Sequence, residues 1–151
     1  MTNETTHPRS KILIVEDNWK DQNRYRDSLG DKVDCPIVGD LEPGFGGSTL
    51  YVNREASLKN LEKSLREIPY AAIFMDGDLG LRLDSSCDGA ILVKRIRQGV
   101  YGHINQNTEI QNISSTYTMT ETKKDCDKER LAKGGDRDPI QYAKRALGEI
   151  L

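Results

Sequence analysis

Two apolar runs in this chain end in carboxylate. Lys11-Ile12-Leu13-Ile14-Val15 leads into Glu16-Asp17, and Ala71-Ala72-Ile73-Phe74-Met75 leads into Asp76. Uninterrupted Ile/Leu/Val runs of about five residues suit strands covered on both faces, as in a parallel sheet packed between helices. Elsewhere the apolar period changes to that of helices. Leu58, Leu61, Leu65 and Ile68 recur at spacings of three, four and three, which predicts an amphipathic helix over Glu55 to Glu67, stopped by Pro69. Asn18 to Leu29 is predicted helical, with Gln22, Tyr25, Arg26 and Leu29 on one face and Gly30 as its stop. Gly89 to Arg97 is a third helix: Gly89, Leu92, Val93 and Ile96 face the core, and Lys94, Arg95 and Arg97 face water. Ile140, Ala143, Leu147 and Ile150 mark a last helix.

The remaining stretches are less regular. Cys35 to Gly39 and Leu50-Tyr51-Val52 are two short candidate strands around a loop, Glu42 to Ser48, and the pattern does not choose between them as the second sheet strand. Gly77 to Asp88 and Gly99 to Thr108 read as loops. Glu109 to Ser114 is a strand with Ile110 and Ile113 as its large apolar anchors. Met119 to Lys133 has helical character but is almost uniformly polar. Strands alternating with helices predict an α/β layered fold. Ligands gather at the carboxyl ends of the strands in such sheets. If the two acid-tipped strands are neighbours, Glu16, Asp17 and Asp76 meet there. Like charges at short range raise each other's pKa, and a hard divalent cation with oxygen ligands, Mg2+ above all, resolves that repulsion.

Bulk properties narrow the picture. The chain has 151 residues, enough for one domain, expected over residues 11–151 behind a flexible arm, Met1 to Ser10. With 30% charged residues and a net charge of −2, it has no basic excess of the kind nucleic-acid binding needs. No apolar stretch approaches the ~20 residues of a membrane helix, and the N-terminus lacks the apolar core of a signal peptide. Cys35, Cys87 and Cys126 are odd in number and match no metal-ligand spacing, which suits free thiols in a reducing cytoplasm.

Three separated blocks carry a family resemblance. Lys-Ile-Leu-Ile-Val-Glu-Asp-Asn (11–18), Ile-Phe-Met-Asp-Gly-Asp-Leu-Gly (73–80) and Asp-Gly (88–89), opening a helix that ends Lys-Arg-Ile-Arg (94–97), resemble the CheY-like receiver domain of response regulators. The resemblance spans residues 11 to about 115. It implies a flavodoxin-like, doubly wound parallel sheet of order 2-1-3-4-5. It also implies Asp76 as phosphoacceptor, Glu16, Asp17 and Asp76 around Mg2+, and the backbone carbonyl of Asp78 as a further ligand. A hydroxyl at the end of the fourth strand is implied too; Ser114 fits best, with Ser115 or Thr116 as the choice if that strand ends later. More ordinary roles compete: Asp78's side chain as a solvated loop carboxylate, Asp88 as a helix N-cap, Ser114 as a polar strand end.

The chain departs from the family before Pro139. The family's lysine is replaced by Asp138, which reads as an N-cap, with Pro139 in the first helical turn. Gly134 to Asp138 is too short and too polar for a fifth strand, so that strand is expected to be irregular or missing. Arg137 and Lys133 are the nearby cations. The resemblance implies phosphoryl acceptance from a histidine kinase or phosphotransfer protein. With no output domain expected after the last helix, the signal would leave by protein–protein contact, without direct nucleic-acid contact or membrane insertion. A pseudo-receiver adaptor independent of phosphorylation is the alternative. The Asp-x-Asp of residues 76–78 also suits a Mg2+-dependent phosphatase of the haloacid-dehalogenase type, but that family places the pair on its first strand.

Overall fold

The computed structural model describes residues 9–41, 49–83, 88–113 and 138–149. In chain order its elements are β1 (Ile12–Val15), α1 (Trp19–Leu29), a 3-10 turn (Gly30–Lys32), β2 (Val33–Asp34), β3 (Gly39–Leu41), β4 (Leu50–Val52), α2 (Arg54–Glu67), β5 (Ala72–Met75), α3 (Asp88–Arg97), β6 (Ile110–Asn112) and α4 (Pro139–Ala146). Every residue of β1 and β5 is buried, as their unbroken apolar runs require. The central sheet is parallel, in the order β2-β1-β5-β6. These are the first four positions of the expected 2-1-3-4-5 order. Residues 134–137, where a fifth strand is expected to be irregular or missing, lie outside the described residues, as does Met119 to Lys133.

Alternation along the strands divides the core between two faces. Leu13, Val15, Ile73, Met75 and Ile110 pack against Leu61 and Leu65 of α2 and Leu92, Val93 and Ile96 of α3. Ile12, Ile14, Ala72, Phe74 and Ile113 pack against Tyr25 and Leu29 of α1 and Ile140 and Ala143 of α4. Phe74 sits between Tyr25 and Tyr142, with ring centroids 6.1 Å away on each side. This is the doubly wound α/β arrangement.

Neither candidate proves to be the second sheet strand. That role falls to Val33–Asp34, where Val33 is buried and pairs with Ile12. Pro36 cannot donate to a ladder, so pairing stops before it. Leu50–Val52 is a strand, but it pairs antiparallel with Gly39–Leu41 in a separate two-stranded sheet. Two surface assignments also change. Arg26 is exposed rather than part of the buried face of α1. Arg97 is half-buried, and its guanidinium donates to the carbonyls of Gln106 and Thr108.

The expected loop over residues 99–108 holds a buried hub. The Asn105 side chain donates to the carbonyls of Leu65 and Ile68 and accepts from Tyr70 N–H, Arg9 Nη1 and Thr108 Oγ1. Arg9 donates further to the carbonyls of Tyr70 and Ile104 and to Thr108 Oγ1, so the expected flexible arm is anchored at this residue. Residues 1–8 lie outside the described residues. Replacing Asn105 leaves several buried backbone groups without partners at once. Asn105→Ala is therefore expected to cost about 3 kcal/mol in urea unfolding, whereas Asn107→Ala, at an exposed position, should be nearly neutral.

Candidate functional site

Parallel pairing in strict register puts Val15 beside Met75, and the Asp76 N–H donates to the Val15 carbonyl at 2.9 Å. The residues that follow each strand therefore emerge side by side. Glu16, Asp17 and Asp76 each offer a carboxylate oxygen, and these atoms lie within 4.8 Å of one another. Glu16 is buried, while Asp17 and Asp76 are half-buried. The three acids picked from the sequence thus form one cluster at the carboxyl end of the sheet.

Each acid is held by its neighbours. Glu16 Oε1 accepts from Asn18 N–H at 3.2 Å. The Asn18 side chain in turn caps α1, accepting from the amides of Lys20 and Asp21. The Gln22 carboxamide donates to the Glu16 carbonyl, and the Leu50 amide of β4 donates to the Asp17 carbonyl. Asp76 Oδ1 accepts from Gly77 N–H at 2.8 Å. Burial, and then the charge of Asp76, push the Asp17 carboxyl up to about 6, with Asp78 adding to the effect.

Behind Asp76 the backbone of α3 comes very close. A Cβ on Gly89 would lie 2.2 Å from the Asp76 carbonyl oxygen, and Gly89 N–H donates to the Gly77 carbonyl. Only glycine permits that approach. Asp88 is not the N-cap expected of it. Its buried carboxylate accepts from the amides of Leu81, Arg82 and Leu83. From the other side, Arg54 donates to the carbonyls of Leu81 and Arg82. This opposed pair of charges holds Arg82 at φ 51, a left-handed conformation that is costly for a side-chain-bearing residue. The residues following Asp76 are therefore a braced segment. Arg54 was missed because its role depends on a fold contact 27 residues away.

Asp78 is exposed, as a solvated loop carboxylate should be. Asp138 is the N-cap of α4: its side chain accepts from Ile140 N–H, and it pairs with Arg24 of α1. Ser114, Ser115, Thr116, Lys133 and Arg137 lie outside the described residues, as do Cys87 and Cys126. Cys35 is a free, half-buried thiol pushed up to about 11, chiefly by burial, which leaves it weakly nucleophilic. No helix among the described residues is long and apolar enough to cross a membrane.

Solved structures with a similar fold include the receiver domain of the sensor histidine kinase PA1611 from Pseudomonas aeruginosa, which has a magnesium ion coordinated in its active site cleft. It is 23% identical, with 93% of this chain and 98% of that one covered and a TM-score of 0.53. A CheY-like receiver domain protein from Methanospirillum hungatei is 13% identical, covering 93% and 95%, with a TM-score of 0.56. A Burkholderia pseudomallei response regulator solved with a phosphorylated aspartic acid, calcium and citrate is 17% identical, covering 93% and 70%, with a TM-score of 0.53. The fold is that of a receiver domain. No protein-family model matches the chain, and no curated protein does.

Within this receiver fold, two outcomes are expected. A carboxyl held above its ordinary value binds its proton more tightly in the folded state. The resulting penalty is absent near pH 4 and develops as pH rises through about 6. In metal-free protein, Asp17→Asn should add about 1 kcal/mol of stability at pH 7.5, after allowance for solvent screening, and the gain should vanish near pH 4. Thermal unfolding at the two pH values checks this. Gly89→Ala must push α3 away from the Asp76 backbone, and a loss of about 2 kcal/mol is expected in urea unfolding.

Proposed function

We propose that this chain is a receiver domain of a two-component system. It takes a phosphoryl group onto Asp76 from a histidine kinase or phosphotransfer protein, with Mg2+ as cofactor. The observation that carries this reading is the convergence of Glu16, Asp17 and Asp76 at the carboxyl ends of two adjacent parallel strands. The magnesium ion in the Pseudomonas receiver and the phosphorylated aspartic acid in the Burkholderia regulator, both on this fold, support it. The donor set fits a hard cation: it is all oxygen and anionic, and one member is already pushed upward by burial and its neighbours' charge. Glu16, Asp17 and Asp76 would hold the ion, with the backbone carbonyl of Asp78 as a further ligand. When bound, the cation neutralises the carboxylates and the charge on the phosphoryl oxygens.

The chain's own part is alignment and nucleophilic attack. Gly77 N–H holds Oδ1 of Asp76 and so orients the carboxylate whose oxygen attacks the phosphorus. As the new O–P bond forms, the P–N bond of a phosphoimidazole donor breaks, and the nitrogen leaves with the electron pair. Ser114 is assigned the hydroxyl that receives the phosphoryl oxygen, with Ser115 or Thr116 next in line. Lys133 and Arg137 are the candidates for the cation that Asp138 does not supply. The output is contact with another protein, in a reducing cytoplasm and without direct nucleic-acid binding.

A second reading is a pseudo-receiver that works as an adaptor independently of phosphorylation. It is favoured by Asp138, which caps α4 and pairs with Arg24 at the place where the family carries a lysine. Equal binding of a partner by wild type and Asp76→Asn would support it. The leading reading is checked by mass spectrometry with Mg2+ and a small acyl phosphate. Wild type should gain one phosphoryl mass, and Asp76→Ala none. No gain with any donor would sink it.

A further inference from the structure

One buried polar side chain beside the acidic cluster has no part in the chemistry above. Gln22, on the inner face of α1, is almost fully buried. Its Nε2 donates to the Glu16 carbonyl at 2.6 Å and to the Ile37 carbonyl at 3.0 Å. Ile37 is itself fully buried and lies in the crossing from β2 to β3. The next carbonyl along the acidic pair, that of Asp17, accepts from Leu50 N–H of β4. The same region is stitched down by Ser57, whose hydroxyl accepts from Val38 N–H and donates to the Val38 carbonyl. Both backbone carbonyls of the acidic pair are therefore tied into the segment between β2 and α2.

We infer that Gln22 is a positioning residue for the cation site. Its carboxamide locks the Glu16 backbone to the chain at Ile37, so that Glu16 and Asp17 present their carboxylates beside Asp76 without rearrangement. Neighbours that orient a ligand set in this way govern metal affinity even though they never touch the ion. A helix-face glutamine serving only to fill the core would affect stability and leave affinity alone. The inference rests on the Mg2+ reading of the cluster given above.

The test is a Mg2+ titration followed by the fluorescence of Trp19, the only tryptophan in the chain and two residues from Asp17. Gln22→Met keeps the length of the side chain and removes both donors; Gln22→Leu is the second variant. Ser57→Ala is the control, because it loosens the Val38 anchor without touching Glu16. Each Gln22 variant should raise the Mg2+ dissociation constant about tenfold. Ser57→Ala should leave it within about twofold, though thermally less stable. Amide exchange at Leu50 in metal-free protein should also quicken in the Gln22 variants. Unchanged affinity in folded Gln22 variants, or an equal loss in Ser57→Ala, overturns the positioning role alone. A wild type that binds no Mg2+ overturns the metal reading and this inference together.

Discussion

The parallel pairing of Ile12–Val15 with Ala72–Met75 fixes the position of everything packed around it. Four residue pairs in register, from Ile12 with Ala72 to Val15 with Met75, set where each chain leaves the sheet. A slip of one residue would turn every side chain of one strand to the opposite face. It would break the division of Leu13 and Val15 from Ile12 and Ile14 between the two helix layers. Because both faces are buried, that slip is heavily penalised. The acidic residues just beyond the strands inherit the precision of the apolar core.

That precision carries an electrostatic cost. Burial and the nearby charge of Asp76 drive the Asp17 carboxyl upward, so the cluster is a site of local destabilisation held in place by its surroundings. The holding groups are mostly backbone amides and side-chain amides: Asn18 N–H, Gly77 N–H, Leu50 N–H and the Gln22 carboxamide. On the far side, Gly89 lets α3 close directly on the backbone of Asp76. Arg54 and Asp88 grip opposite edges of the tripeptide at 81–83, and this stabilises a left-handed Arg82. Repulsion concentrated at one point is thus offset by a frame built from four different elements.

Legibility in the sequence followed the range of the interaction. The β1 and β5 runs, the face of α3 with Gly89, Leu92, Val93 and Ile96, and the Leu61–Leu65 stripe were readable because burial leaves a local period. Asp138 was readable as a cap because the motif is completed within two residues. The second strand was not, since two residues against β1 carry no period and Pro36 makes the following segment look strand-like while barring it from the ladder. Asn105 looked like any loop asparagine. Its partners, from Arg9 to Thr108, are scattered across nearly a hundred positions. Asp88 reads as a cap in the sequence because its actual partners lie before it, in a segment whose shape the sequence does not announce.

The layered α/β plan and the identity of the three acids are written in the chain, since alternating periods and acid-tipped apolar runs are properties of short stretches of residues. The folded sheet alone brings these acids within 4.8 Å of one another. Folding also pushes Asp17 toward neutrality and makes Gln22, Arg54, Asp88 and Gly89 frame the site. Burial patterns are written locally, whereas desolvation, charge proximity and hydrogen-bond bracing arise between residues that meet only when the sheet has formed.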